Sequence, residues 1–128
     1  MLKIGIEGTK EITVTEELTA EKVGSGLLPV YATPQMIALM ENVASESVQD
    51  MLEEGQGTVG TKIEVSHVSA TPVGMKVICT SKLVEIDRKR LVFKVKAVDE
   101  AGLIGEGTHE RFIIDNERFM EKTRNKLL

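Results

Sequence analysis

The sequence predicts an α+β domain in which an antiparallel sheet wraps one long helix. Three observations predict it. A segment of 3.6-residue periodicity opens at Thr33-Pro34, the periodicity switches to two after Gly55, and polar turns then separate consecutive apolar runs. A length of 128 residues suits one domain, 1-128, with no room for a comfortable second. Hydrophobic residues make up 41% and charged ones 28%, ordinary for a globular chain, but aromatics are only 3%, so the core must be aliphatic.

Taken in order, the β-branched run Ile12–Val14 suggests a first strand, with Lys3–Ile6 a weaker one. Gly24-Ser25-Gly26-Leu27-Leu28-Pro29 reads as a loop, punctuated by two glycines and a proline, yet apolar enough at Leu27 and Leu28 to cover something. The helix follows. Thr33 is placed to cap it and Pro34 suits the first helical position. Met36, Ile37, Met40, Ala44, Val48, Met51 and Leu52 recur at helical spacing, and Gly55 is the expected stop, giving a helix over Pro34–Glu53.

Beyond it, Val59, Thr61, Ile63, Val65 and His67 share one parity, against Lys62, Glu64 and Ser66. Thr71-Pro72-Val73-Gly74 turns into a strand from Met75 to Ile86, and Asp87-Arg88-Lys89-Arg90 turns into one carrying Leu91, Phe93, Val95 and Ala97. Asp99-Glu100-Ala101-Gly102 leads to a last strand, Leu103 to Ile114, and the tail from Asn116 to Leu128 suits a short helix. The hotdog fold has this layout, as do some cystatin-like domains, and the strands alone do not separate them.

Several function classes drop out. A net charge of −4 opposes a nucleic-acid groove, which needs a clustered basic stripe. Cys79 is the single cysteine, so an intrachain disulfide is impossible and a reducing compartment fits. The opening residues lack a charged start followed by a long apolar run, and no stretch approaches a membrane span, so no membrane partner is expected and the default location is cytoplasmic. Two distant histidines give no metal-ligand spacing. A phosphate loop and a serine-hydrolase elbow are both missing.

Three residues could carry chemistry. Glu41 falls about 40° from Ile37 around the helix, inside the apolar arc. A carboxylate aimed at a core must be paired, hydrogen-bonded or neutral. The alternative is an edge position whose head bends back to water. His67 has inward parity, although a lone inward histidine is more often a satisfied core residue than a catalyst. Thr33 sits where a helix start favours negative charge, although a capping role already accounts for its hydroxyl. His109, within Gly105-Glu106-Gly107-Thr108-His109-Glu110-Arg111, shares parity with Arg111 and reads as a strand residue near a rim.

Three segments together carry a resemblance: Ala32-Thr33-Pro34-Gln35-Met36-Ile37-Ala38-Leu39-Met40-Glu41, then Thr58-Val59-Gly60-Thr61, then His67 with Ala70-Thr71-Pro72-Val73-Gly74. At these separations they resemble the fluoroacetyl-CoA thioesterase branch of the hotdog thioesterases, from about Val30 to Gly74. The resemblance implies a hotdog fold, an acyl-CoA thioesterase activity and a catalytic set of Thr33, Glu41 and His67. It also implies that the backbone N–H near Gly60 polarises the thioester carbonyl, and that Leu27, Leu28 and Arg111 contact substrate. A homodimer with active sites at its interface is implied too, with no metal or prosthetic group, CoA being part of the substrate. The family's fluoroacetyl-CoA enzyme carries phenylalanines in the preceding lid, where this chain has Gly24 to Leu28. The reaction therefore carries over and the acyl group does not. Two other readings are a non-catalytic acyl-CoA-binding hotdog module and a hotdog hydratase or dehydratase. The first has no need of an acid–base pair. The second typically sets an Asp and a His close together on one element.

Overall fold

The computed structural model describes residues 1–128. Five strands form one antiparallel sheet: β1 (Glu7–Thr13), β2 (Gln56–His67), β3 (Lys76–Asp87), β4 (Arg90–Asp99) and β5 (Gly102–Asp115). Their spatial order is β1-β3-β4-β5-β2, so β1 and β2 are the two edges. Between β1 and β2 the chain makes a one-turn helix, α1 (Ala20–Val23), and the long helix, α2 (Thr33–Gln49). A short terminal helix, α3 (Asn116–Arg124), follows β5 and buries none of its side chains. No helix is long and apolar enough to cross a membrane.

The core lies between α2 and one face of the sheet. Met36, Met40, Val43, Ala44 and Val48 of the helix meet Cys79 and Leu83 of β3 and Phe93, Val95 and Ala97 of β4. Full burial of an aliphatic or aromatic side chain of this size contributes about 1.5–3 kcal/mol. The helix also comes very close to β5: a Cβ on Gly105 would stand 2.6 Å from the Met36 sulfur. Only a glycine leaves room for that methionine.

Three local expectations are revised. Lys3–Ile6 is a turn rather than a strand, with Gly5 at φ 103°, a conformation that breaks an extended run. Helix α2 ends at Gln49, before Glu53 and well before Gly55, because Met51 and Leu52 already bond three residues back to Val48 and Gln49. The third revision concerns β2. Its ladder to β5 runs Gly60↔Arg111 and then Lys62↔Glu110, leaving Thr61 as the extra residue of a bulge.

A one-residue slip flips side chains to the other face. Ile63 and Val65 keep the predicted parity and are half-buried, with His67, on the helix side, but Thr61 is exposed. Val59 pairs with Phe112, a residue of the outer face that is itself exposed. In their place Thr58 and Gly60 take the helix-facing positions, opposite Ile113 and Arg111. The bulge thus turns a glycine toward α2.

Candidate active site

The sequence-predicted residues lie in two groups, one toward each end of β2. At its C-terminal end His67 meets the start of α2. The Thr33 hydroxyl lies 2.7 Å from His67 Nδ1. Thr33 therefore does not cap the helix: the capping position is Ala32, Thr33 and Pro34 occupy the first turn, and the hydroxyl is committed to the imidazole. The other ring nitrogen, Nε2, is shielded from solvent and has no partner in the chain. Burial pulls the imidazole below the ordinary histidine value, with the Ser69 backbone opposing.

This pair lines a cleft of about 310 Å³ together with Ser25, Val30, Tyr31 and Ser69. One wall is the loop that carries Leu27 and Leu28, both exposed. The other is laced into the fold. Val68 N–H donates to the Ile104 carbonyl (2.7 Å) and Tyr31 N–H to the Thr71 carbonyl (2.9 Å). The Thr71 hydroxyl donates to Asp99 Oδ2 (2.8 Å), while Oδ1 accepts from the N–H groups of Ala101 (2.8 Å) and Gly102 (3.1 Å).

At the bulged end stands Glu41, two turns along α2 and about 12 Å from Thr33 along the helix axis. The buried stripe of the helix runs through Met36, Met40, Val43 and Ala44, and Glu41 lies at its margin, its side chain 44% exposed. Leu52 does not flank it, because the helix has ended. Instead the carboxylate reaches over Gly60. A Cβ added there would lie 2.9 Å from Glu41 Oε2, 3.2 Å from His109 Cε1 and 3.3 Å from Arg111 Nη1. A larger residue here would have to displace the carboxylate, so the constraint is one of contact and not of torsion.

Arg111 is buried and fixed on three sides. Nε donates to the Thr58 hydroxyl (2.7 Å), Nη2 to the Thr58 carbonyl (2.9 Å), and Nη1 lies 3.1 Å from His109 Nε2. Nη1 also stands 3.9 Å from Glu41 Oε2, the nearest counter-charge. Desolvation pulls the guanidinium down and Glu41 pushes it back up; it remains a cation.

His109 is not at a rim. It is 1% exposed, in a row that crosses the helix side of the sheet from Leu83 through Phe93 and His109 to Ile63. The polar run around it disguised this, since charged neighbours seldom accompany a core residue. The parity of Gly105, Gly107, His109 and Arg111, two small residues and two large ones facing α2, was the signal that could have found it.

Glu41 and His67 do not meet within one chain. Gly60 and His67 are seven residues apart on β2, about 23 Å for an extended strand. Cys79 offers no alternative nucleophile, being fully buried with its thiol pushed up to about 12 by desolvation. A larger concavity of about 780 Å³ lies over the other face of the sheet, among Lys82, Lys94 and Lys96. It is open and polar and holds none of these groups.

The chain and its fold are similar to known proteins of one family. Residues 14–117 match the family model described as fluoroacetyl-CoA-specific thioesterase. The chain is 42% identical over 97 residues to a fluoroacetyl-CoA thioesterase of Streptantibioticus cattleyicolor, spanning 76% of this chain and 70% of that protein. A crystal structure of the fluoroacetyl-CoA thioesterase FlK superposes with a TM-score of 0.93 at 34% identity, covering 98% of both chains. A thioesterase superfamily member from Thermus thermophilus superposes with a TM-score of 0.90 at 30% identity, over 98% of this chain and 93% of that one. A point mutant of FlK in complex with fluoroacetate and CoA superposes with a TM-score of 0.88 at 34% identity, over 92% of this chain and 99% of that one.

Proposed function

The chain belongs to the fluoroacetyl-CoA-specific thioesterase family, with a hotdog fold, and from that premise we propose how it hydrolyses its acyl-CoA thioester. Glu41 either attacks the thioester carbon, expelling the CoA thiolate and leaving an acyl–glutamyl anhydride that water hydrolyses, or takes the proton of a water whose oxygen attacks that carbon. The backbone N–H near Gly60 holds the developing oxyanion, and His67, steadied by Thr33, relays a proton from the reacting water to the departing CoA thiolate. The observation that carries this reading is the carboxylate poised over a glycine, where any Cβ would push it aside. Leu27 and Leu28, exposed on the loop beside the cleft, would fold over the acyl group, and Arg111 faces Glu41. No metal or prosthetic group is required. The reduced, buried Cys79 suits a cytoplasmic setting.

A second copy completes the site in this reading. Strand β2 has no neighbour along its outer edge. Antiparallel pairing of two such edges, about a two-fold axis near residues 63 and 64, would set His67 of one chain opposite the partner's Gly60. The two half-sites then become one, and His67 Nε2 gains a neighbourhood. Each homodimer would hold two such composite sites.

The test is a panel of short, medium, aryl and halogenated acyl-CoA substrates with detection of free thiol. Glu41→Gln and His67→Ala should each lower turnover of the preferred substrate at least about 10²-fold while the assembly keeps its mass. Thiol release from none of the panel would favour a non-catalytic acyl-CoA-binding module. Near-wild-type turnover in both variants would remove the residue assignment.

A further inference from the structure

His109 is a buried titratable side chain beside Gly60 and Arg111 to which the mechanism above gives no task. Its contacts are specific. Nδ1 lies 2.8 Å from the Lys62 carbonyl, an acceptor, so Nδ1 must carry the proton. Nε2 lies 3.1 Å from Arg111 Nη1, a donor, so Nε2 must offer its lone pair. These two neighbours fix one tautomer of the neutral ring. A second proton would set N–H against N–H and add a positive charge beside a buried guanidinium. The ring packs against Phe93, with centroids 6.3 Å apart, and its Cε1 closes one side of the space at Gly60.

We propose that His109 is a positioning residue of the hydrolytic site: as the Nδ1–H tautomer it ties the bulge at Lys62 to Arg111 and holds Nη1 toward Glu41. This rests on the assignment of Glu41 above. Nη1 carries two hydrogens. The geometry assigns one to His109 Nε2 and leaves the other for the carboxylate 3.9 Å away. The two bonds to Thr58 orient the planar fork, and without the imidazole acceptor Nη1 loses its one hydrogen-bond partner on the side that faces Glu41. Lys62 directly follows Thr61, and its carbonyl fixes the tautomer, so the bond to Arg111 is the half of the ring on which the site depends.

Two substitutions separate the two halves of the ring. Asparagine places an amide donor near Nδ1 and keeps the bond to Lys62, but leaves Arg111 without an acceptor. Glutamine places its carbonyl oxygen near Nε2 and keeps the acceptor for Arg111. His109→Asn should lower kcat at least about tenfold with KM within about twofold, whereas His109→Gln should stay within about threefold of wild type. Equal kcat in the two variants, or the reverse order, overturns the proposal.

A readout independent of activity is the ¹⁵N spectrum of the ring in the unmodified protein, with His67→Ala to assign the two histidines. It should show a protonated Nδ1 and a bare Nε2 at neutral pH. An Nε2–H tautomer or an imidazolium overturns the proposal even where the variants fail to fold. Glu41→Gln in the same assay separates the two ideas: full turnover there removes the role of Glu41 and this one with it. A normal loss there with equal His109 variants removes only this one.

Discussion

The two ends of β2 solve different problems with the same residue types. At the bulge all three nitrogens of Arg111 and both nitrogens of His109 have partners, and the charge they surround is fixed in place. At the C-terminal end His67 has one bond, to Thr33, and one shielded nitrogen without any. A network that engages every nitrogen holds a charge still; an imidazole with a free nitrogen can pass a proton on. The contrast teaches that a histidine's role follows from which of its nitrogens remain unclaimed, not from its burial.

Mixing two inactive variants tests whether the ends cooperate between chains. Glu41→Gln and His67→Ala chains, unfolded and refolded together, should recover about a quarter of wild-type activity if each site draws on both copies. Half of the pairs would be mixed, and one of the two sites in each mixed pair would be intact. No recovery would place both groups of a site in one chain. The next largest effect is local to the bulge. Gly60→Ala should lower kcat about a hundredfold, since its methyl would displace the Glu41 carboxylate 2.9 Å away. Unchanged kcat with unchanged melting would mean that the carboxylate is not poised by this contact.

At the other end Thr33→Val should cost about tenfold in kcat and Thr33→Ser little, because only the hydroxyl touches the imidazole. The smallest effect is on stability. Burial is the leading cause that holds both histidines below the ordinary histidine value, so the unfolded chain, titrating near 6.5, takes up protons first as pH falls. Stability should therefore be full above about pH 6.5 and decline below it, by at most about 1.4 kcal/mol per pH unit for each histidine. Denaturant midpoints at pH 6.5 and 5.5 measure this, and a midpoint that holds or rises on acidification would contradict it. His109→Gln should flatten part of the slope.

Much of the fold was legible because periodicity reports burial directly. The long helix, the four later strands and the terminal helix all follow from apolar spacing and turn residues. The bulge was not legible. Nothing in Thr58-Val59-Gly60-Thr61 announces an extra residue, because a bulge is set by pairing with a distant strand. Reading the parity straight through put Val59 and Thr61 on the wrong face and hid the inward turn of Gly60. The end of α2 was misplaced for a related reason: Met51 and Leu52 kept the helical spacing after the hydrogen bonds had tightened. In the candidate site, Thr33 and His67 could be named but not joined, since their contact depends on how the loop after β2 returns to the helix. His109 was misjudged because its neighbours in sequence are polar while its neighbours in space are Phe93 and Ile63.

Asp99 sits in a hairpin turn remote in sequence from every group discussed as reactive, yet its carboxylate fastens the loop that leaves His67 by taking the Thr71 hydroxyl on one oxygen and two backbone N–H groups on the other. Tuning of this enzyme therefore need not pass through its reactive residues. A substitution at that turn would slacken one wall of the cleft while leaving every reactive side chain in the sequence, and a survey confined to those side chains would find nothing changed.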